Sequence, residues 1–128
     1  MSKYAEAGVD IDKKSRMVKS IVRILGGGEH YAGIYPFHDG FLAVSTDGVG
    51  TKIILAGQYG GWECVGIDCV AMNANDVVCT GATPLIGVDY IAVESLEEEM
   101  LKGIARGLRK GCEEAGMVMV GGELAVLK

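Results

Sequence analysis

The chain reads as an α+β domain, a mixed sheet with flanking helices, on three observations. Apolar residues recur at helical spacing in two places, Met17, Ile21, Ile24 and Leu25 in one and Leu101, Ile104, Leu108 and Cys112 in the other, which marks two amphipathic helices. β-type apolar runs at 41–44, 85–93 and 117–120 are interleaved with them. Asp39-Gly40 sits between two such runs and predicts a two-residue hairpin turn. At 128 residues the length suits one domain, or half of a larger enzyme.

In chain order, residues 4–12 (Y-A-E-A-G-V-D-I-D) form an irregular entry, and Asp12 is placed to cap a helix over 13–25. Lys13, Lys14, Arg16, Lys19 and Arg23 lie mostly outside its apolar face. Gly26-Gly27-Gly28 ends it, either as a flexible stop or as an anion-binding nest. Strands at 34–38 and 41–45 flank the turn, with Pro36 putting the first at an edge or distorting it. A short helix over 53–59 is stopped by Gly60-Gly61, and a longer one over 67–80 by Gly81 and Pro84. Val70, Ala71, Ala74, Val77 and Val78 give the longer helix its apolar period and predict that it is mostly buried.

Residues 85–93 form a strand with Ile86, Val88, Tyr90 and Ala92 on one face and Asp89 on the other, there either as a ligand or in a sheet-face hydrogen bond. Ser95-Leu96-Glu97-Glu98 reads as a capping box for a helix running to Ala115 and ended by Gly116. Within it Gly103, Gly107 and Gly111 recur every four residues. Each glycine costs roughly 1 kcal/mol against alanine in a helix interior, so the row predicts a neighbouring backbone packed close. Residues 117–120 form a last buried strand that delivers Gly121-Gly122-Glu123 as a glycine turn, followed by the apolar run 124–127.

The bulk properties exclude several classes. A formal net charge of -5 without a basic block argues against a dedicated nucleic-acid binder. The four cysteines form no C-x-x-C pair and there are two histidines, so neither a zinc site nor a disulfide framework is expected. No signal-peptide core or bilayer-length apolar run occurs, so no membrane partner is expected and a cytoplasmic location is. With 49% hydrophobic but 6% aromatic residues the core must be aliphatic, and twenty glycines, about double the usual share, imply many tight turns and close contacts.

Ser45-Thr46-Asp47-Gly48-Val49-Gly50-Thr51-Lys52 concentrates the chemistry at a strand end. Asp47 is a hard oxygen ligand of the kind Mg²⁺ takes. Gly48 and Gly50 let backbone N–H groups approach an anion, and Lys52 offers a point charge to phosphate. The spacing is not that of a Walker A loop, and a plain strand-to-helix turn with a solvated Asp and Lys is the alternative. In the 67–80 helix, at about 100° per residue, Asp68 and Asn75 fall within about 20° of each other and Asp76 about 80° from Asp68. Buried carboxylates need a partner, a proton or a metal. The other reading makes Asp68 an N-terminal helix residue and Asp76 part of a buried polar network. With Glu123, these carboxylates fit Mg²⁺ working with phosphates.

Five motifs, Y-A-E-A-G-V-D-I-D at 4–12, T-D-G-V-G-T-K at 46–52, G-I-D-C-V-A-M-N-A-N-D-V-V at 66–78, G-A-T-P-L at 81–85 and V-G-G-E at 120–123, resemble the N-terminal half of phosphoribosylformylglycinamidine cyclo-ligase, the aminoimidazole ribonucleotide synthetase family. The resemblance implies an ATP- and Mg²⁺-dependent enzyme of purine biosynthesis that closes an imidazole ring on a ribonucleotide substrate. It implies Asp47, Asp76 and Asp68 as metal ligands, and Gly48, Gly50, Thr51 and Lys52 as phosphate contacts. Asn75 and Glu123 would order the metal shell or substrate, with Asp47, Lys52 and Glu123 as the catalytic set. It also implies an ATP- and Mg²⁺-binding dimerisation domain over 1–128, an α/β half whose sheet a second subunit completes into a barrel in a homodimer. The family's C-terminal domain is absent from this chain, so a separate C-terminal-half polypeptide would be a partner. The family continues G-G-E as T-A-E-M-P, where this chain has Leu124-Ala125-Val126-Leu127-Lys128. Selenophosphate synthetase and thiamine-phosphate kinase share the architecture, and a non-catalytic, dimerising nucleotide-binding half-protein is the alternative of a different class.

Overall fold

The computed structural model describes residues 8, 10–28 and 30–127, so most of the 4–12 motif lies outside the described residues. The elements, in order, are α1 (Ile11–Leu25), β1 (Gly33–Phe37), β2 (Gly40–Val44), α2 (Lys52–Tyr59), α3 (Trp62–Val78), β3 (Ile86–Val93), α4 (Glu98–Ala115) and β4 (Val118–Val126). The α+β composition holds, but the strands do not form one mixed sheet. β1 and β2 make an antiparallel hairpin, while β3 and β4 make a separate parallel pair. Hairpin pairing is local, whereas parallel pairing needs a crossover, here α4. No ladder joins the two pairs among the described residues.

Helix α1 begins two residues earlier than the sequence suggests. Asp10, not Asp12, is the N-cap, its side chain accepting from the Lys13 N–H at 2.9 Å. Asp10 has the extended backbone an N-cap needs, and Asp12 falls in the first turn, where its charge suits the helix dipole.

The hairpin turn is displaced by one residue, to His38-Asp39, with Phe37 opposite Gly40 and Pro36 opposite Phe41. Proline explains the shift. In a two-residue hairpin the pair flanking the turn is hydrogen-bonded, and bonded and non-bonded pairs then alternate. The observed register puts Pro36 on a non-bonded pair, where its missing N–H costs nothing. A turn at Asp39-Gly40 would set Pro36 opposite Ala43 on a bonded pair. The observed turn is strained instead at His38, which takes a φ of 49°.

The core lies between α3, α4 and the inner face of β3–β4. Val70, Ile104, Leu108 and Cys112 are buried there, with Trp62, Ile91, Met100, Met117 and Met119 packed around them. The glycine row is where α3 and α4 meet. A Cβ on Gly107 would overlap the Glu63 carbonyl, one on Gly103 would stand 2.8 Å from Trp62 Cβ, and one on Gly111 2.8 Å from Val70 Cβ. Gly66 on α3 answers from the other side, against the Ile104 carbonyl. This contact accounts for α3 starting at Trp62 rather than at 67: tertiary packing makes a mid-helix glycine favourable where propensity alone disfavours it. The expected burial of α3 is one-sided, since Ala71 and Val78 are exposed.

Two further expectations are corrected. No capping box forms at Ser95, because its hydroxyl is 3.3 Å from a Glu97 carboxylate oxygen and Glu97 is itself the N-cap, with no side-chain cap bond. Glu98 and Glu99 instead place negative charge in the first turn. Gly121-Gly122-Glu123 is not a turn but the middle of β4, in register with Val88, Asp89 and Tyr90 of β3 after a bulge between Gly87 and Val88. The Asp89 carboxylate fills the space a Gly122 side chain would take, so that glycine is required by packing.

Candidate functional site

The segment between β2 and α2 is fastened to one side of α3 at three points. Ser45 donates from Oγ to Asp76 Oδ2 at 3.0 Å. Asn73 clamps the Asp47 peptide from both sides: its Oδ1 accepts from the Asp47 N–H at 2.8 Å, and its Nδ2 donates to the Asp47 carbonyl at 3.2 Å and to the Cys69 carbonyl at 2.9 Å. Lys52 Nζ lies 2.7 Å from Asp68 Oδ2. The side-chain amide of Asn73 thus does for Asp47 what a neighbouring strand would do, which sets the main chain and leaves the carboxylate outward.

Asp47 is exposed, and one of its oxygens accepts from the Gly48 N–H at 2.7 Å. The other accepts no hydrogen bond among the described residues. Gly50, at φ 64°, turns the chain into α2, whose N-cap is Thr51 with its hydroxyl making no cap bond. Lys52 is the first residue of α2, so its charge stands at the helix end that favours anions.

Cys69, on α3 beneath the clamp, has its thiol pKa pushed up by burial and then by the negative charges of Asp89 and Asp47.

Asp47, Asp76, Asp68 and Lys52 come together along α3, but not as a cage. Among the described residues no group of three or more His, Cys, Asp or Glu side chains is close enough to hold a metal ion. Asn75 is exposed and makes no side-chain hydrogen bond among the described residues. Glu123 lies opposite Tyr90, with a carboxylate oxygen 3.1 Å from the Leu124 N–H and no bond to the loop. Asn73 is the residue that sequence reasoning missed. The seven-residue step from Asp68 draws attention to Asn75, whereas Asn73 is a helical i, i+3 neighbour of Asp76, the spacing that shares a face.

Lys52→Met is expected to change folding stability by no more than about 1 kcal/mol, because half-exposed ion pairs contribute that little. Urea unfolding measures it. A larger loss would mean that the Lys52–Asp68 pair, at 41% and 44% exposure, holds α2 in place rather than serving a ligand.

The fold and the loop define a class: an α+β domain that presents an exposed carboxylate, a glycine turn and a helix-end lysine close together in sequence. Residues 29–128 match the family model described as AIR synthase related protein, N-terminal domain, and the chain belongs to that family. It is 45% identical over 142 aligned positions to a protein of Thermococcus kodakarensis named phosphoribosylformylglycinamidine cyclo-ligase, covering 99% of this chain and 42% of the relative. A Methanosarcina barkeri protein of the same name is 44% identical over 135 positions, covering 97% and 40%. The chain thus spans less than half the length of these curated relatives. Among solved structures, AaThiL complexed with AMPPCP and TMP superposes with a TM-score of 0.77 at 20% identity, over 88% of this chain and 37% of that one. A thiamine monophosphate kinase from Aquifex aeolicus gives 0.73 at 21%, over 91% and 39%. At those identities the likeness is one of fold.

Proposed function

We propose that this chain is the ATP- and Mg²⁺-binding N-terminal part of a phosphoribosylformylglycinamidine cyclo-ligase, working in the cytoplasm as a homodimer. The observation that carries the reading is the 45% identity to the Thermococcus relative over essentially the whole chain. In that reaction ATP phosphorylates the formamide oxygen of a ribonucleotide and leaves as ADP. The neighbouring amine nitrogen attacks the activated carbon, the ring closes, and phosphate departs.

The donor set fits magnesium. Asp47 and Asp76 offer hard oxygens, and Asp68 is already paired with Lys52. One or two carboxylates with phosphate oxygens and water completing the shell is how Mg²⁺ is usually held beside nucleotides. Bound there, the ion would neutralise phosphate charge. The chain's own part is to hold phosphate at the start of α2, with Lys52, Thr51 and the Gly48–Gly50 backbone, and to keep Asp47 outward through Asn73. Glu123 and Asn75 are assigned to ordering substrate or the metal shell by resemblance to the family. Dimerisation is supported by the apolar outer surfaces of both strand pairs, where Tyr35, Phe41, Val88, Tyr90 and Val118 are all more than 60% exposed, since an open sheet face or edge invites pairing.

The test is an ATP- and Mg²⁺-dependent cyclisation assay on this chain alone, then with the C-terminal portion of a relative added as a separate polypeptide. Negligible turnover alone and clear turnover on mixing are expected. Failure in both would move the reading to a non-catalytic nucleotide-binding half-protein.

A further inference from the structure

Helix α1 is complete at both ends, and among the described residues its apolar side is open. Asp10 caps its start, and Gly26, at φ 73°, closes its end. Ile11, Met17, Val18, Ile21, Ile24 and Leu25 form a stripe about 140° wide by helical geometry, and they are 47–81% exposed. No residue of α1 is buried, and among the described residues no element makes an extensive contact with it. A lone helix of 15 residues is marginal in water, because most helical stability in proteins comes from packing an apolar face.

We propose that α1 docks, through this stripe, onto the polypeptide that follows this domain in its full-length relatives, as an intramolecular strap between the two parts. Two observations select that occupant. The alignment to the Thermococcus relative takes in 99% of this chain but only 42% of the relative, so the helix belongs to the shared part and the larger remainder of that protein is available to cover it. Area argues against a second copy held by this stripe alone, as distinct from the strand-pair dimer proposed above. A 15-residue helix is about 22 Å long, and a stripe about 10 Å wide would bury, counting both partners, roughly 450 Å². A stable association between separate proteins needs about 1,200 Å² or more. A covalently joined partner escapes that requirement, because linkage sets a high effective concentration. Lys13, Arg16, Lys19 and Arg23 then remain at the solvated rim, while Lys14, which falls within the stripe, would carry its ammonium out to that rim along its apolar stem. The inference rests on family membership and chain length, not on the catalytic reading, and its readout involves no turnover.

Hydrogen exchange over residues 11–25 tests it. The probes are this chain at low and high concentration, this chain with phosphatidylserine vesicles, and this chain joined to the part of the Thermococcus relative that follows the matched region. Fast exchange in the chain alone at both concentrations, slowed at least about tenfold in the joined protein, is expected for a local opening converted to a packed one. Leu25→Glu should restore fast exchange in the joined protein while α4 stays protected. Protection that grows with concentration, or appears only with vesicles, would overturn the proposal in favour of a second copy or a lipid surface. If the joined protein does not fold, the same measurement is made on the helix of the intact relative aligned to 11–25, and fast exchange there would overturn it equally.

Discussion

Gly107→Ala is expected to destabilise the protein by at least about 2 kcal/mol, the upper part of the range for overpacking a core. Two effects compete. Alanine is the better helix former by roughly 1 kcal/mol, and on an exposed helix that gain would be seen. At Gly107 the added Cβ would overlap the Glu63 carbonyl and stand 2.9 Å from the Gly66 Cα. Both are main-chain atoms of α3, so no rotamer change relieves the clash and the two helices must separate. Separation would cost the packing of Val70, Ile104, Leu108 and Cys112, the buried cluster between them. Urea unfolding checks the result, and a raised midpoint would refute close helix packing as the reason for the glycine row.

Asp47→Asn is expected to leave the fold intact and to lower Mg²⁺-ATP affinity of the assembled enzyme by at least about 100-fold, since losing even an outer partner of a metal site costs 10–100-fold. The structural half follows from the clamp. Asn73 grips the main chain of residue 47, not its carboxylate, and an amide oxygen can still accept from the Gly48 N–H. The stability change should therefore stay within about 0.5 kcal/mol, as for other surface substitutions. The functional half follows from charge, because Asn keeps the shape and removes the negative oxygen that faces solvent. Calorimetric titration of Mg²⁺-ATP against wild type and variant, with melting curves of both, separates the halves. Unchanged affinity would remove Asp47 from the proposed metal site.

Much of this architecture can be read along the chain. The period of Ile104, Leu108 and Cys112 finds the core face of α4, and the glycines between them find its partner surface before the partner is known. Both signals are local, since periodicity and propensity act within one element. The loop at 45–52 is legible for the same reason: its carboxylate, glycines and lysine are neighbours in sequence.

What escaped the sequence depends on contacts between distant residues. A two-residue turn at Asp39-Gly40 is a sound local expectation, yet Pro36 selects the register through the bonding pattern of a strand paired across from it. Gly121-Gly122 looks like a turn until Asp89 is found occupying the place of the missing side chain. Ser95 and Glu98 match a capping pattern, but Glu97 takes the N-cap position instead. Asn73 rather than Asn75 holds the loop because the loop arrives on that side of α3, a direction that helical angles alone do not give. By itself the sequence determined the order and type of the helices and strands, though not all their bounds, which face of α4 is apolar, and where the carboxylates and lysine lie along the chain. Only the tertiary structure decided the strand register, the close contact of α3 with α4 and the residue that fastens Asp47. Each of these is a choice among locally similar options, made by main-chain hydrogen bonds and steric exclusion between segments far apart in sequence.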